Sequence, residues 1–291
     1  MEVWFLAALM GMIFAGFSNF AFKIAASRKY DSETFNLWGG LISIIFAGVC
    51  LVVVKPADVS TPFIIWLTVG SGMIATCGGI MKVYALRYID TTIFYPLFKL
   101  FSPLLAIVAG MVFFSERFSL FEWLGMILGL LVPILLINKI EHNRQTNLVL
   151  GLVFVGAISF TSAVAAAISK YSIDSGMSEW NSLWYASVGI FFGSLILLLG
   201  KLRIRTFGHI VQHSQSGLVF FAFARSFLIC ISLLFVLFAY GHGGSLGVVQ
   251  TIHSMYIIIP IFLSIAMYKE HVDVRKVLAV ALSVAALAFL G

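Results

Sequence analysis

The sequence predicts an all-α integral membrane protein with ten transmembrane helices arranged as two inverted five-helix repeats. Three observations predict it: a composition that water cannot accommodate, ten apolar runs of spanning length, and a motif pattern that occurs twice. Of 291 residues, 61% are hydrophobic and only 10% charged, with a mean hydropathy of +1.07. Soluble domains are about 45–50% apolar and about 25% charged. A chain this apolar needs lipid as its solvent. Barrel strands alternate apolar and polar residues, whereas these runs are continuous, which selects helices.

The runs cover residues 3–26, 34–54, 62–86, 91–114, 119–138, 148–169, 180–200, 217–240, 245–268 and 274–290. Each is near the roughly 20 residues that cross about 30 Å of hydrocarbon. Backbone groups in lipid must pair within their own segment, so each run is expected to be a helix. The chain opens Met1-Glu2-Val3-Trp4 and passes straight into a full-length run, so no cleavable signal is expected. Two longer connections, Lys139 to Asn147 and Lys201 to Ser216, hold most of the polar punctuation, and no soluble domain is expected.

Charge supplies an orientation. The net charge is +6, but the basic residues lie in short connections, so nucleic-acid binding is not expected. The odd-numbered connections hold Arg28, Lys29, Arg87, Lys139, Arg144, Lys201, Arg203, Arg205, Lys269, Arg275 and Lys276; the even-numbered ones hold Lys55, Arg117 and Lys170. The positive-inside rule places the odd connections in the cytoplasm and, with ten spans, both termini outside. Cys50, Cys77 and Cys230 sit inside apolar runs without metal-ligand or CxxC spacing, and are expected to be small buried hydrophobes.

The repeat is visible in two matches. Ser32-Glu33-Thr34-Phe35-Asn36-Leu37-Trp38 opens the second run, and Ser178-Glu179-Trp180-Asn181-Ser182-Leu183-Trp184 opens the seventh, 146 residues later. Ser115-Glu116-Arg117 ends the fourth run, and Lys269-Glu270-His271 ends the ninth, 154 residues later. Residues 1–138 then form the first repeat, 139–147 a linker and 148–291 the second repeat. Five spans per repeat turn the second upside down relative to the first, an arrangement found in transporters.

The closing part of each half resembles the drug/metabolite transporter superfamily, in its ten-helix EamA-type branch. The residues are Pro103-Leu104-Leu105, Glu116-Arg117 and the Gly125 to Ile137 helix, matched by Pro260-Ile261-Phe262, Glu270-His271 and Val277 to Leu290. The resemblance implies a central cavity surrounded by the first four helices of each half, with the fifth packed outside. It also implies cytoplasmic termini, opposite to the charge count. Members often carry an arginine early in the second helix of a repeat, where this chain has Trp38 and Trp184.

Charged groups within spans are functional candidates. Lys99 lies about 12 Å into the fourth run at 1.5 Å per residue, and His253 is its counterpart 154 residues later. Each could instead be a structural hydrogen-bonder. Arg225, about eight residues into the eighth run, stays charged when buried and needs a cavity, a carboxylate or several carbonyls. Tyr95 and Gln250 lie one turn before Lys99 and His253, on the same helix face; with Tyr256 and Asn19 they complete a set of cavity hydrogen-bonders. Trp38, Trp184 and Tyr185 fit either the cavity or an interfacial belt. Pro96, Pro103 and Pro260 are candidate hinges or static bends. Gly39-Gly40 and Gly78-Gly79 permit close helix contact. Lys23, Lys82 and Lys170 are expected to snorkel from span ends.

No Asp or Glu lies deep in a run: Glu122 is near the start of the fifth, and Glu116 and Glu270 are at turns. A basic cavity without acids suits an anionic or zwitterionic solute. No catalytic or nucleotide-binding motif occurs, so no enzyme activity, cofactor or metal is expected. The expected function is secondary transport of a small polar metabolite across a cell membrane by a monomer or homodimer, with a proton or other ion available for coupling. Export is the commoner direction in such families. The alternatives are a lipid-headgroup or lipid-phosphate translocator and a non-transporting receptor or assembly subunit.

Overall fold

The computed structural model describes residues 2–28, 30, 32–57, 60–85, 88–89, 91–136, 148–202, 216–260, 262–263 and 273–291. Among them every regular element is helical. The order is α1 (Val3–Ser27), α2 (Ser32–Val54), α3 (Pro62–Ala85), α4 (Thr91–Phe113), α5 (Leu120–Leu135), α6 (Leu148–Asp174), α7 (Glu179–Leu202), α8 (Ser216–Gly241), α9 (Leu246–Ser254) and α10 (Val274–Leu290). Seven of these are long and apolar enough to cross a membrane, and α5 and Leu246–Pro260 are shorter apolar helices. The outer surface is what lipid requires: Val53 is 75% and Phe113 78% exposed.

Helix ends follow local chemistry. Ser119 and Glu122 form a capping box on α5, with Glu122 N–H donating to Ser119 Oγ and Ser119 N–H to Glu122 Oε2. Glu122 is therefore a cap, reciprocally satisfying orphan amides. Gly176 and Gly243 both adopt φ +91°, closing α6 and α8 with the left-handed turn that glycine favours. Helix α6 runs to Asp174, beyond its expected end at 169, and Lys170 pairs with Asp174 one turn on in this last stretch. At the end of α4, Ser115 takes φ 53° without being glycine, a conformation that costs about 1–2 kcal/mol. It turns Glu116 back toward the helices, and Glu116 N–H donates to Gly110 O. The Gly110 position has no room for a Cβ, which would overlap the Glu116 carboxylate.

The prolines behave differently from one another. Pro96 and Pro103 lie within a continuous α4. Before Pro260 the backbone tightens to a 3₁₀ turn at Met255–Ile257, the segment whose carbonyls a proline at 260 would otherwise crowd.

Packing is between distant parts of the chain. Helix α1 lies on α8 and α3 on α6; α2 contacts α7 and α8, and α7 contacts α2 and α3. Helix α4 lies against α6 and α9, α1 also meets α9, and α5 packs on α10. Small residues allow these approaches. A Cβ on Gly189 would overlap the Val69 carbonyl, and one on Gly72 the Ala186 carbonyl, so α3 and α7 cross backbone to backbone. Gly40 faces the Phe191 backbone and Gly78 faces Thr161, whereas Gly79 faces open space, contrary to its expected contact role. Cys230 is buried, but Cys77 is exposed and Cys50 intermediate, so only Cys230 is the buried hydrophobe expected of all three.

Candidate functional site

A cavity of about 220 Å³ lies between α3, α4, α6, α7, α8 and α9. Its polar lining is Ser71, Lys99, Ser102, Ser162, Ser169, Ser232, Tyr240, Gln250, His253 and Ser254, and Pro103 also borders it. Helices α6, α7, α8 and α9 all contribute, but of the first four helices only α3 and α4 do, since α1 and α2 supply no lining residue. Helix α1 instead backs the wall, its Gly11 carbonyl accepting from Ser232 Oγ at 2.7 Å.

Lys99 is the charged group on this cavity. It is 7% exposed, and its Nζ lies 4.0 Å from the centre of the Tyr256 ring and 4.9 Å from that of Phe98. Among the described residues its ammonium thus meets aromatic faces rather than a carboxylate. Such faces attract a cation by their quadrupole, but they do not neutralise it. Pro103, one turn further along α4, has no N–H to offer the Lys99 carbonyl. The Tyr256 hydroxyl donates to Asn19 Oδ1 at 3.2 Å, which sets the ring under the ammonium. His253 stands edge-on to Tyr256 at 5.7 Å, with Nε2 3.3 Å from Ser232 Oγ.

The serines have mostly committed their protons. Ser71 donates to Thr68 O, Ser169 to Ala165 O, Ser254 to Thr251 O and Ser102 to Ser162 Oγ, at 2.7–3.0 Å. A hydroxyl with its proton so engaged still has lone pairs to offer. At the far end Gln250 Nε2 donates to Tyr240 Oη at 2.7 Å. Among the described residues the cavity therefore has one cationic donor, Lys99, and a set of neutral oxygen acceptors.

Of the expected residues, Lys99, His253, Gln250 and Pro103 border the cavity, and Tyr256 and Asn19 support Lys99 from behind. Arg225 does not border it: its Nη1 lies 3.4 Å from Asn36 Oδ1, and its guanidinium 5.5 Å from the Phe35 ring. Tyr95, Pro96, Pro260, Trp38, Trp184 and Tyr185 also lie off the lining. Tyr95 carries Lys82 Nζ over its ring at 4.5 Å. Trp184 packs in the hydrophobic core against the flat face left by Gly48, and Trp38 packs beside Phe35 and Leu218. The Lys23 side chain and Glu270 lie outside what the structure describes.

Two residues were read too simply. Lys170 does not snorkel. It is 8% exposed, and its Nζ donates to Gly244 O at 3.3 Å, 3.4 Å from Asp174 Oδ2 and 3.9 Å from Glu116 Oε1. Glu116 in turn accepts from the Leu246 and Gly247 amides at 2.5 and 3.3 Å. The pattern Ser115-Glu116-Arg117 marked a turn, but nothing local marked its partner. Tyr240 and the serines were also missed, because isolated hydroxyls in apolar runs give no sequence signal.

A second, larger hollow of about 710 Å³ lies outside α4 and α6, lined by apolar residues such as Leu105, Val112, Phe160 and Val164. No residue lines both hollows, so the α4–α6 seam separates this groove from Lys99.

Comparison with known proteins agrees with the resemblance read from the sequence. No curated protein matches the chain. A solved structure described as "Crystal structure of protein" superposes with a TM-score of 0.72 at 13% identity, covering 98% of this chain and 95% of that one. At that identity the likeness is one of fold, and it extends over both halves. Residues 2–139 match the EamA-like transporter family, which is consistent with the drug/metabolite transporter superfamily. Over residues 2–139 this chain is similar to the EamA-like transporter family, and its seven long apolar helices together with that similarity mark a multi-pass membrane protein.

Proposed function

We propose that the protein is a secondary transporter of a small zwitterionic or anionic metabolite, working by alternating access around the Lys99 cavity. The observation that carries this reading is the buried Lys99 ammonium, met by aromatic faces and open to a hydroxyl-lined cavity. A buried cation without a counter-charge is costly, and a solute carboxylate arriving there would supply the charge. The serine, Gln250 and Tyr240 oxygens would accept from the ammonium of a zwitterion. His253 is the neighbouring group that a coupling proton could use. Arg225, held by Asn36, makes no direct solute contact in this reading.

Ten crossings in two inverted repeats, residues 1–138 and 148–291, are part of the proposal. Exchanging each helix for the one five places along turns α1–α8 into α6–α3, α2–α8 into α7–α3 and α4–α6 into α9–α1, all of which are packed pairs. It returns α2–α7, α4–α9 and α5–α10 to themselves. Gly291 lies against the Phe5 ring, so the start of α1 and the end of α10 share a face, which supports an even number of crossings between them. Rocking of the two halves would expose the cavity alternately. We keep the positive-inside orientation, with the termini outside, and export as the direction; the test is reagent accessibility of the termini in intact cells.

A lipid-headgroup translocator would need this basic cavity to open sideways into lipid, and the apolar groove does not reach it. A receptor or assembly subunit would pack its interior, which the cavity counts against.

The test is thermal stabilisation of the purified protein by three compounds on one carbon skeleton: a carboxylate, an amine and the amino acid. A ligand at 100 times its Kd stabilises by about 2.7 kcal/mol. The amino acid is expected to stabilise most and the carboxylate next. Stabilisation by the amine alone would sink the reading.

A further inference from the structure

The transport reading leaves unused the most elaborate polar cluster in the structure. Glu116 reaches from the α4–α5 turn to the first two amides of α9 and to Lys170 of α6. Lys170 joins the same point to the Gly244 carbonyl of the α8–α9 turn and to Asp174. Three separated stretches of chain therefore meet at one ion pair. Both side chains are nearly buried, at 9% for Glu116 and 11% for Lys170, and two features prepare the site. Ser115 holds a left-handed conformation that turns Glu116 inward, and the Gly110 position leaves room for the carboxylate. The positive end of the α9 dipole adds to the attraction.

The cluster stands at one end of the Lys99 cavity. Tyr240, which lines that cavity, has its ring 5.7 Å from Lys170 Nζ, and Ser169 lines it one residue before Lys170. Beyond the pair, Phe118 of the α4–α5 turn fits against Gly247 of α9. While Glu116 holds α9 and Lys170 holds Gly244, the α4–α5 turn, α6 and the α8–α9 turn cannot separate.

We propose that Glu116 and Lys170 form the latch that shuts the cavity at its α8–α9 end, and that the pair parts whenever the cavity opens there. The role is one of positioning: neither residue needs to touch the solute. The proposal rests on the reading of the cavity as a transport site, but it concerns access and can fail separately.

The experiment reads access to the cavity from that end. A single cysteine is placed by Ser169→Cys in a protein whose three native cysteines are replaced by alanine. Its labelling by a hydrophilic maleimide is timed in sealed vesicles, with reagent added from each face in turn. Glu116→Gln, Lys170→Met and the double variant are compared with the parent. Each is expected to label about tenfold faster from one face, the scale of losing a charge-assisted hydrogen bond, and unchanged from the other. The double variant leaves no buried member of the pair alone, since the remaining Asp174 carboxylate is 41% exposed, so it separates latch loss from the cost of a buried lone ion. Unchanged labelling in folded variants would overturn the proposal. So would failure of all three to fold, since a contact that parts in every cycle cannot be indispensable to the fold. Faster labelling in a protein that no carboxylate or amino acid stabilises would leave the latch standing and remove the solute reading instead.

Discussion

The Lys99→Gln protein is expected to lose about 100-fold or more in affinity for its solute while becoming more stable when empty. The two effects have one cause. Lys99 is 7% exposed, and the Tyr256 and Phe98 rings ease its charge without cancelling it. An ammonium in that position destabilises the empty protein, and glutamine removes the cost while keeping a hydrogen-bond donor of similar reach. The solute carboxylate then loses the only cation among the described residues that line the cavity, a change worth about 2–5 kcal/mol when a charge pair is buried. Isothermal titration and thermal unfolding of the same preparations read both effects. A destabilised empty variant would show that Lys99 is satisfied by the fold itself and serves as a structural group.

Gly189→Val is expected to lower the melting temperature by roughly 5–10 °C, as befits overpacking against a backbone that cannot yield. The α3–α7 crossing has no side chain between its helices at this point: a Cβ on Gly189 would overlap Val69 O and come within 3.1 Å of Gly72 Cα. Gly72→Val should act in the same direction, because its Cβ would overlap the Ala186 carbonyl. Gly79→Ala is the control. Nothing lies within 4 Å of the added methyl, so the variant should match or slightly exceed the parent, as alanine suits a helix better. Equal melting of Gly189→Val and Gly79→Ala would mean that the crossing is looser than the structure has it.

Much of the fold was legible because hydrocarbon allows few answers. The last helix, Val274–Leu290, falls where its apolar run does, and the α4 run differs from its helix by one residue. Lys99, His253 and Gln250 could be brought together by counting, since helix spacing and a repeat offset suggest which residues share a face; Pro103, read as a candidate hinge, borders the same cavity. The Glu116–Lys170 pair could not. Its members are 54 positions apart, one in the α4–α5 turn and one on α6, which the repeat pattern does not align, and Lys170 lay near the expected end of a span. Arg225 shows the limit of counting. Depth alone suggested the cavity, whereas its guanidinium lies off the cavity lining beside Asn36 of α2, a helix far away in sequence but packed on α8. Trp184 looked equally suited to cavity and belt, but the decisive feature was Gly48, whose missing side chain admits the ring. Complementary shapes of this kind become visible only when two helices are placed together.

The most direct test of the central claim is counterflow in proteoliposomes. Vesicles are loaded with the carboxylate or amino acid that stabilises the protein, and uptake of the labelled compound is followed for wild type and Lys99→Gln. The account predicts saturable uptake by wild type, no competition from the matched amine, and uptake near the protein-free background for Lys99→Gln. Equal uptake by the two proteins, or uptake that only the amine competes with, would contradict it.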